Sequence, residues 1–190
     1  MRLLFFESID SLNQFTRSLR AATLPPCNCG ADNHWTSHGF TYKQLSATHR
    51  CVVGKRIICA NRCGRTGCGA TRQLYLSSTL PRIHYRADVL TLFIVALING
   101  TPIHSAYQQA TQANSHRHAY RWLHQMKCRL VNYRPQLASM NTANSTRITT
   151  RSTRSLLLTE PLMTTLQHFQ SHWANKLVQQ YQLTTQAIFL

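Results

Sequence analysis

Acidic residues are what this chain most lacks. Asp and Glu make up only 5 of its 190 residues, against 21 Lys and Arg, so its formal net charge is +16 with histidines neutral. The acids are Glu7, Asp10, Asp32, Asp88 and Glu160, and no carboxylate lies between Asp32 and Asp88 or between Asp88 and Glu160. Enzymes that cut DNA with two metal ions hold them on clustered carboxylates, commonly three on one RNase H-like sheet. This chain has too few acids for that, and the segment from Asp88 to Glu160 lacks the strand and helix alternation such a sheet needs. The expectation is therefore a non-enzyme. Tyr85, Tyr107, Tyr120 and Tyr133 offer recombinase-type nucleophiles, but the large catalytic domain that would use them is missing.

Long apolar runs are missing too. No stretch is apolar for long enough to span a bilayer, and no polybasic run flanks an anchor, which argues against a membrane partner. The opening "MRLLFFESIDSLNQF" has a short apolar run followed at once by acids, so no export signal is read. The expected location is the bacterial cytoplasm, nucleoid-associated when bound. In a reducing compartment, 7 cysteines point to metal or free thiols rather than disulfides.

What is abundant is positive charge. A surface with a pI near 10.4 repels itself and attracts polyanions, so double-stranded DNA is the expected partner. The charge is densest around "KRIICANRCGRTGCGA", where Lys55, Arg56, Arg62 and Arg65 surround Cys59, Cys63 and Cys68. Cys27-x-Cys29-Gly30 lies upstream. Glycine after cysteine lets the backbone turn so that amides face the thiolate. Two such loops suit one structural zinc ion with four ligands. The preferred set is Cys27, Cys29, Cys59 and Cys68, with Cys63 as the substitute and His34, His38 and His49 as further donors. Cys51 and Cys128 read as small buried hydrophobes. A catalytic zinc would need a general base, and the Glu-containing deaminase pattern is absent.

The organisation follows from periodicity. Residues 1–26 hold a short strand in "LLFF" and a helix over 8–21 with Ser8 as N-cap. Residues 27–80 form a small, loop-rich, zinc-ribbon-like β module with short strands at "FTYKQ" and "KRIIC", of a size that needs a staple. Residues 84–134 read as three helices with short turns. The first carries an apolar stripe of Val89, Leu92, Phe93, Ala96 and Leu97. Thr101-Pro102 starts the second, and the third begins near Ser115 with Ala119, Trp122, Leu123, Met126 and Leu130 on one face. Residues 138–155 are a basic Ser/Thr-rich linker, and 160–183 an amphipathic helix that docks on the core or meets a partner chain. The fold class is mainly α with a small zinc-ribbon-like β module and a helix-turn-helix three-helix bundle.

A helix-turn-helix presents the N-terminal end of its last helix to the major groove. Ser115, His116, Arg117, His118 and Arg121 occupy that end, with Arg suited to guanine edges. Lys127, Arg129 and Arg134 lie further along and suit phosphates, as do Lys55, Arg56, Arg62 and Arg65 of the cysteine module.

The segments "CNCG", "HWTSHGF", "GKRIICANRCGRTGCGA" and "YLSSTLPRIHY", followed by "SAYQQATQANSHRHAYRWLHQMK", resemble transposase-associated proteins of bacterial insertion sequences. Those proteins pair a zinc ribbon with a helix-turn-helix. The likeness covers about residues 27–134, although the first cysteine pair here is CxC where such ribbons show CxxC. It implies binding to the DNA ends of a mobile element, with Cys27, Cys29, Cys59 and one of Cys63 or Cys68 as ligands and the helix from Ser115 as reader. The expected function is that of an accessory factor or repressor of transposition. The alternatives are a scaffold that recruits a transposase, a chain that self-associates through its C-terminal helix, and an RNA-binding zinc ribbon.

Overall fold

The computed structural model describes residues 3–19, 24–25, 27–30, 35–44, 50–60, 66–140 and 159–190. It divides into two compact units: Met1–His84 with Gln186–Ile188, and Tyr85–Thr185 with Phe189–Leu190. Among the described residues, no helix is long and apolar enough to cross a membrane.

The first unit is a small mixed sheet with one helix. Its strands are β1 (Phe5–Phe6), β2 (Trp35–Gln44), β3 (Arg50–Cys59) and β4 (Thr71–Leu76), in the order β1-β4-β3-β2. β2 pairs antiparallel with β3, β3 antiparallel with β4, and β1 parallel with β4. The two short strands expected in this module are in fact ten residues each, and β4 adds a third partner. Helix α1 (Ile9–Arg17) starts with a capping box: Ser8 Oγ accepts from the Ser11 amide, and Ser11 Oγ accepts from the Ser8 amide. Two otherwise orphaned N–H groups are thereby satisfied. Leu12 and Leu19 join Trp35, Ile57, Leu74 and Leu76 in the core, while Ile9 stays exposed. The Gln186 side-chain amide brackets Phe5, accepting from its N–H at 2.6 Å and donating to its carbonyl at 3.2 Å.

The second unit is helical: α2 (Ala87–Ile98), α3 (Ile103–Thr111), α4 (Arg117–Cys128), α5 (Leu130–Met140), α6 (Glu160–Trp173) and α7 (Leu177–Thr185). α2 packs against α3, α6 and α7. Its buried face matches the expected stripe only in part, at Phe93 and Leu97. Leu90, Phe93, Ile94 and Leu97 are buried, and Leu92 is 58% exposed. A helix this apolar offers more than one stripe at period 3.6, and the neighbouring helices select which is buried. The third helix of the sequence reading also ends early. It stops at Cys128, Arg129 makes a turn, and Leu130 begins α5. Beyond Met140, the Ser/Thr-rich stretch from 141 to 158 lies outside the described residues.

The C-terminal helix expected over 160–183 is broken at Ala174, whose φ of 46° is rarely adopted by an L-residue, and a 3-10 turn at Ala174–Lys176 follows. Both α6 and α7 meet α2. Leu162, Leu166, Phe169, Leu177 and Tyr181 are buried there, so this segment does dock on the core.

Two aromatic clusters hold the helical unit. Trp122 meets Tyr85, Phe93 and Tyr107 at ring-centroid distances of 5.3–5.5 Å. Tyr133 meets Phe169, Tyr181 and Phe189, and its hydroxyl donates to the Phe189 carbonyl at 2.6 Å. Burial raises the Tyr133 phenol well above its ordinary pKa, so it remains a donor. Tyr133→Phe removes that donor from a buried carbonyl. The expected loss is about 1–3 kcal/mol, read by denaturant unfolding of the full chain.

Candidate metal centre and basic helix

Four cysteine sulfurs converge in the first unit. The Sγ atoms of Cys27, Cys29, Cys59 and Cys68 all lie within 4.8 Å of one another and can hold a metal ion. Cys27 and Cys68 are 3.4 Å apart, and Cys29 and Cys59 are 3.7 Å apart. These distances exceed a disulfide bond of about 2.05 Å. They approach the edge of about 3.8 Å that a tetrahedron with metal–sulfur bonds of about 2.3 Å requires. Among the described residues the group is all cysteine. His38 stands outside it, exposed on β2, and Cys63, His34 and His49 lie outside the described residues.

The sheet explains the convergence. Cys59 ends β3, paired across the ladder with Trp35 at the start of β2. Chain entry and exit around it are tied by backbone bonds: the Cys59 amide donates to Ala70, the Gly69 amide to Cys59, and the Gly67 amide to Ala60. This return is close. A Cβ at Gly67 would sit 2.2 Å from the Ala60 carbonyl oxygen, so no other residue fits without moving backbone. Gly69, at φ +77°, completes the turn. On the other loop, the Gly30 amide donates to the Cys27 carbonyl at 2.9 Å. The Pro25 carbonyl accepts from both Trp35 Nε1 and an Arg72 guanidinium nitrogen, which fixes the approach to Cys27. Cys27 and Cys59 are themselves part of the hydrophobic core.

Electrostatics decides the state of the thiols. Burial pushes the Cys59 thiol up to about 12; the Cys68 amide opposes this, and the Cys29 and Cys27 thiols add to it. At Cys68 the Ala70 amide favours the thiolate, but the Cys27 and Cys29 thiols and burial outweigh it, so this pKa is raised too. The Cys59 and Cys68 thiols therefore keep their protons until a cation replaces them. Four thiolates around a divalent ion would carry a net double negative charge.

The other candidate residues scatter. Lys55 points to α1, its Nζ donating to Asn13 Oδ1 at 3.0 Å and to Thr16 Oγ1 at 2.9 Å. Arg56 is exposed on β3, and Arg62 and Arg65 lie outside the described residues. In the helical unit, Ser115 and His116 precede α4, and Arg117, His118, Arg121 and Lys127 are exposed on it. Opposite them, Ala119, Trp122, Leu123 and Met126 are buried. Arg129 is half-buried at the α4 C-cap, and Arg134 is exposed on α5. Cys128 is exposed, against expectation, with its Sγ 3.6 Å from His124 Nε2. Cys51 is half-buried.

Sequence reasoning passed over the Gly67 close approach and the Pro25 clamp. It also passed over Phe40 and Tyr42, whose i, i+2 spacing on a strand was the available signal. No protein-family model, curated protein or solved structure matches this chain.

Proposed function

We propose that the protein is a zinc-dependent DNA-binding protein of a mobile element, an accessory factor or repressor that binds element ends. We read the zinc as structural: among the described residues the ligand group is the four cysteines, with no histidine or carboxylate beside them. The observation that carries the DNA reading is the outer face of α4. Arg117, His118, Arg121, His124 and Lys127 are all exposed there, on a helix whose other face is anchored by Trp122 and Leu123. α3 ends at Thr111 and α4 begins at Arg117, so residues 112–116 connect them, opening with Gln112 in the left-handed conformation at φ 57°. A helix, a connection longer than that of a compact helix-turn-helix, and a basic second helix support a helix-turn-helix reading. The likeness to transposase-associated proteins directs that reading to element-end DNA.

The test separates base readers from phosphate clamps. Arg117 and Arg121 lie in the first two turns of α4, where a groove-inserted helix meets base edges. Arg117→Ala or Arg121→Ala is expected to weaken specific binding by about 1–3 kcal/mol while random duplex binding changes little. Lys127→Ala is expected to weaken both equally. Mobility shifts on element-end and random duplexes read the difference. Equal losses on both DNAs for every variant would reduce α4 to an electrostatic clamp.

A further inference from the structure

On the first unit, β2 carries two large rings that the core does not use. Phe40 is 39% exposed and Tyr42 is 47% exposed. Their ladder partners, Lys55 and Val52, both face the side of the sheet that carries α1 and the core, so the two rings share that side across the register irregularity between Thr41 and Tyr42. Each ring lies beside a cation from β3: the Arg50 guanidinium is 4.3 Å from the Tyr42 ring centroid, and Lys55 Nζ is 5.0 Å from that of Phe40. β2 is one of the two edge strands of the described sheet. Neither the metal centre nor α4 accounts for this patch.

We propose that the Phe40–Tyr42 face binds single-stranded DNA, its bases stacking on the two rings and its phosphates meeting Arg50. The inference rests on the DNA reading above for its choice of DNA. Aromatic side chains stack on any base whose face is open, and a duplex keeps those faces closed. Two residues along a strand span about 6.6–6.8 Å. That is about twice the rise of about 3.4 Å per nucleotide in a duplex strand, so the two rings suit consecutive bases only in a stretched, unstacked strand. A guanidinium lying on a ring keeps its N–H donors at its edge, where a phosphate oxygen is taken. The charge of the chain excludes an acid-free competitor such as a basic peptide and favours a polyanion.

The probes are a 15-nucleotide oligo-dT, the matching oligo-rU and an element-end duplex, followed by fluorescence anisotropy at one salt concentration. Phe40→Leu and Tyr42→Leu keep apolar bulk and remove the ring. Each is expected to weaken oligo-dT binding roughly tenfold, within the range for loss of one stacked base. Duplex binding should be unchanged, and Tyr42→Trp should restore or tighten oligo-dT binding. Arg117→Ala and Arg121→Ala should do the reverse, weakening the duplex and sparing oligo-dT. Metal content equal to that of the unsubstituted protein shows that the first unit is folded. Unchanged oligo-dT binding in both leucine variants overturns the proposal, as does a tenfold preference for oligo-rU. Absent duplex binding with retained, ring-dependent oligo-dT binding would sink the helix-turn-helix reading and leave this one standing.

Discussion

Stripping the metal with a chelator is expected to unfold the first unit while the helical unit keeps its helix signal. Apparent binding free energies of structural zinc in small peptides run to about 10–16 kcal/mol at neutral pH. Whole domains are stable by only about 5–15 kcal/mol. The ligands here are not appended to a finished core. Cys27 and Cys59 lie inside it with Trp35, Ile57 and Leu74, so losing the ion leaves the protonated Cys59 thiol at the centre of the unit. Cys59→Ser should act like the chelator, whereas Cys128→Ser, at an exposed site, should leave metal content unchanged. Elemental analysis should find about one zinc per chain, the stoichiometry of a closed four-ligand site. Because the Cys59 and Cys68 thiols are held above their ordinary range, ions must displace protons, and metal affinity should fall as pH falls. Circular dichroism and metal release across pH read both effects. A metal-free protein with an intact sheet would remove the centre from the account of folding.

Raising salt from 50 to 200 mM is expected to weaken duplex binding by about 500- to 20,000-fold. Each neutralised phosphate contributes about 0.9 to the slope of log affinity against log salt, and about five to eight contacts are expected. Arg117, Arg121, Lys127 and Arg134 are exposed, and Arg56 is exposed on the other unit. No carboxylate lies between Asp88 and Glu160 to compete with phosphate for the helical set. Fluorescence anisotropy at several salt concentrations gives the slope, and removing Lys127 should reduce it by about one. A slope near zero would show that a charge of +16 serves something other than DNA.

Local chemistry made part of this protein legible. Ser8 caps α1, and the α4 residues Ala119, Trp122, Leu123 and Met126 form a buried stripe, as short-range hydrogen bonding and a clear polar-apolar alternation require. Soft donors beside glycine-bearing turns point to Cys27, Cys29, Cys59 and Cys68 as ligands, and they do converge. Net charge needs no fold at all to be read.

Where several arrangements satisfy the same local pattern, only tertiary packing decided. α2 is apolar on most sides, so burial of Leu90 and Ile94 with exposure of Leu92 follows from where α3, α6 and α7 lie. The break at Ala174 has no local signal, since alanine is a helix former; α6 and α7 both meet α2 across it. Cys128 offered no clue to its exposure, because a small thiol suits either side of a helix. Phe40 and Tyr42 read as ordinary strand residues until the edge position of β2 leaves their rings in solvent. The sequence determined the charge, the ligand chemistry and the helix faces with strong contrast. The tertiary structure decided the faces without contrast, because there the free energy depends on which neighbour arrives, and that information is not local.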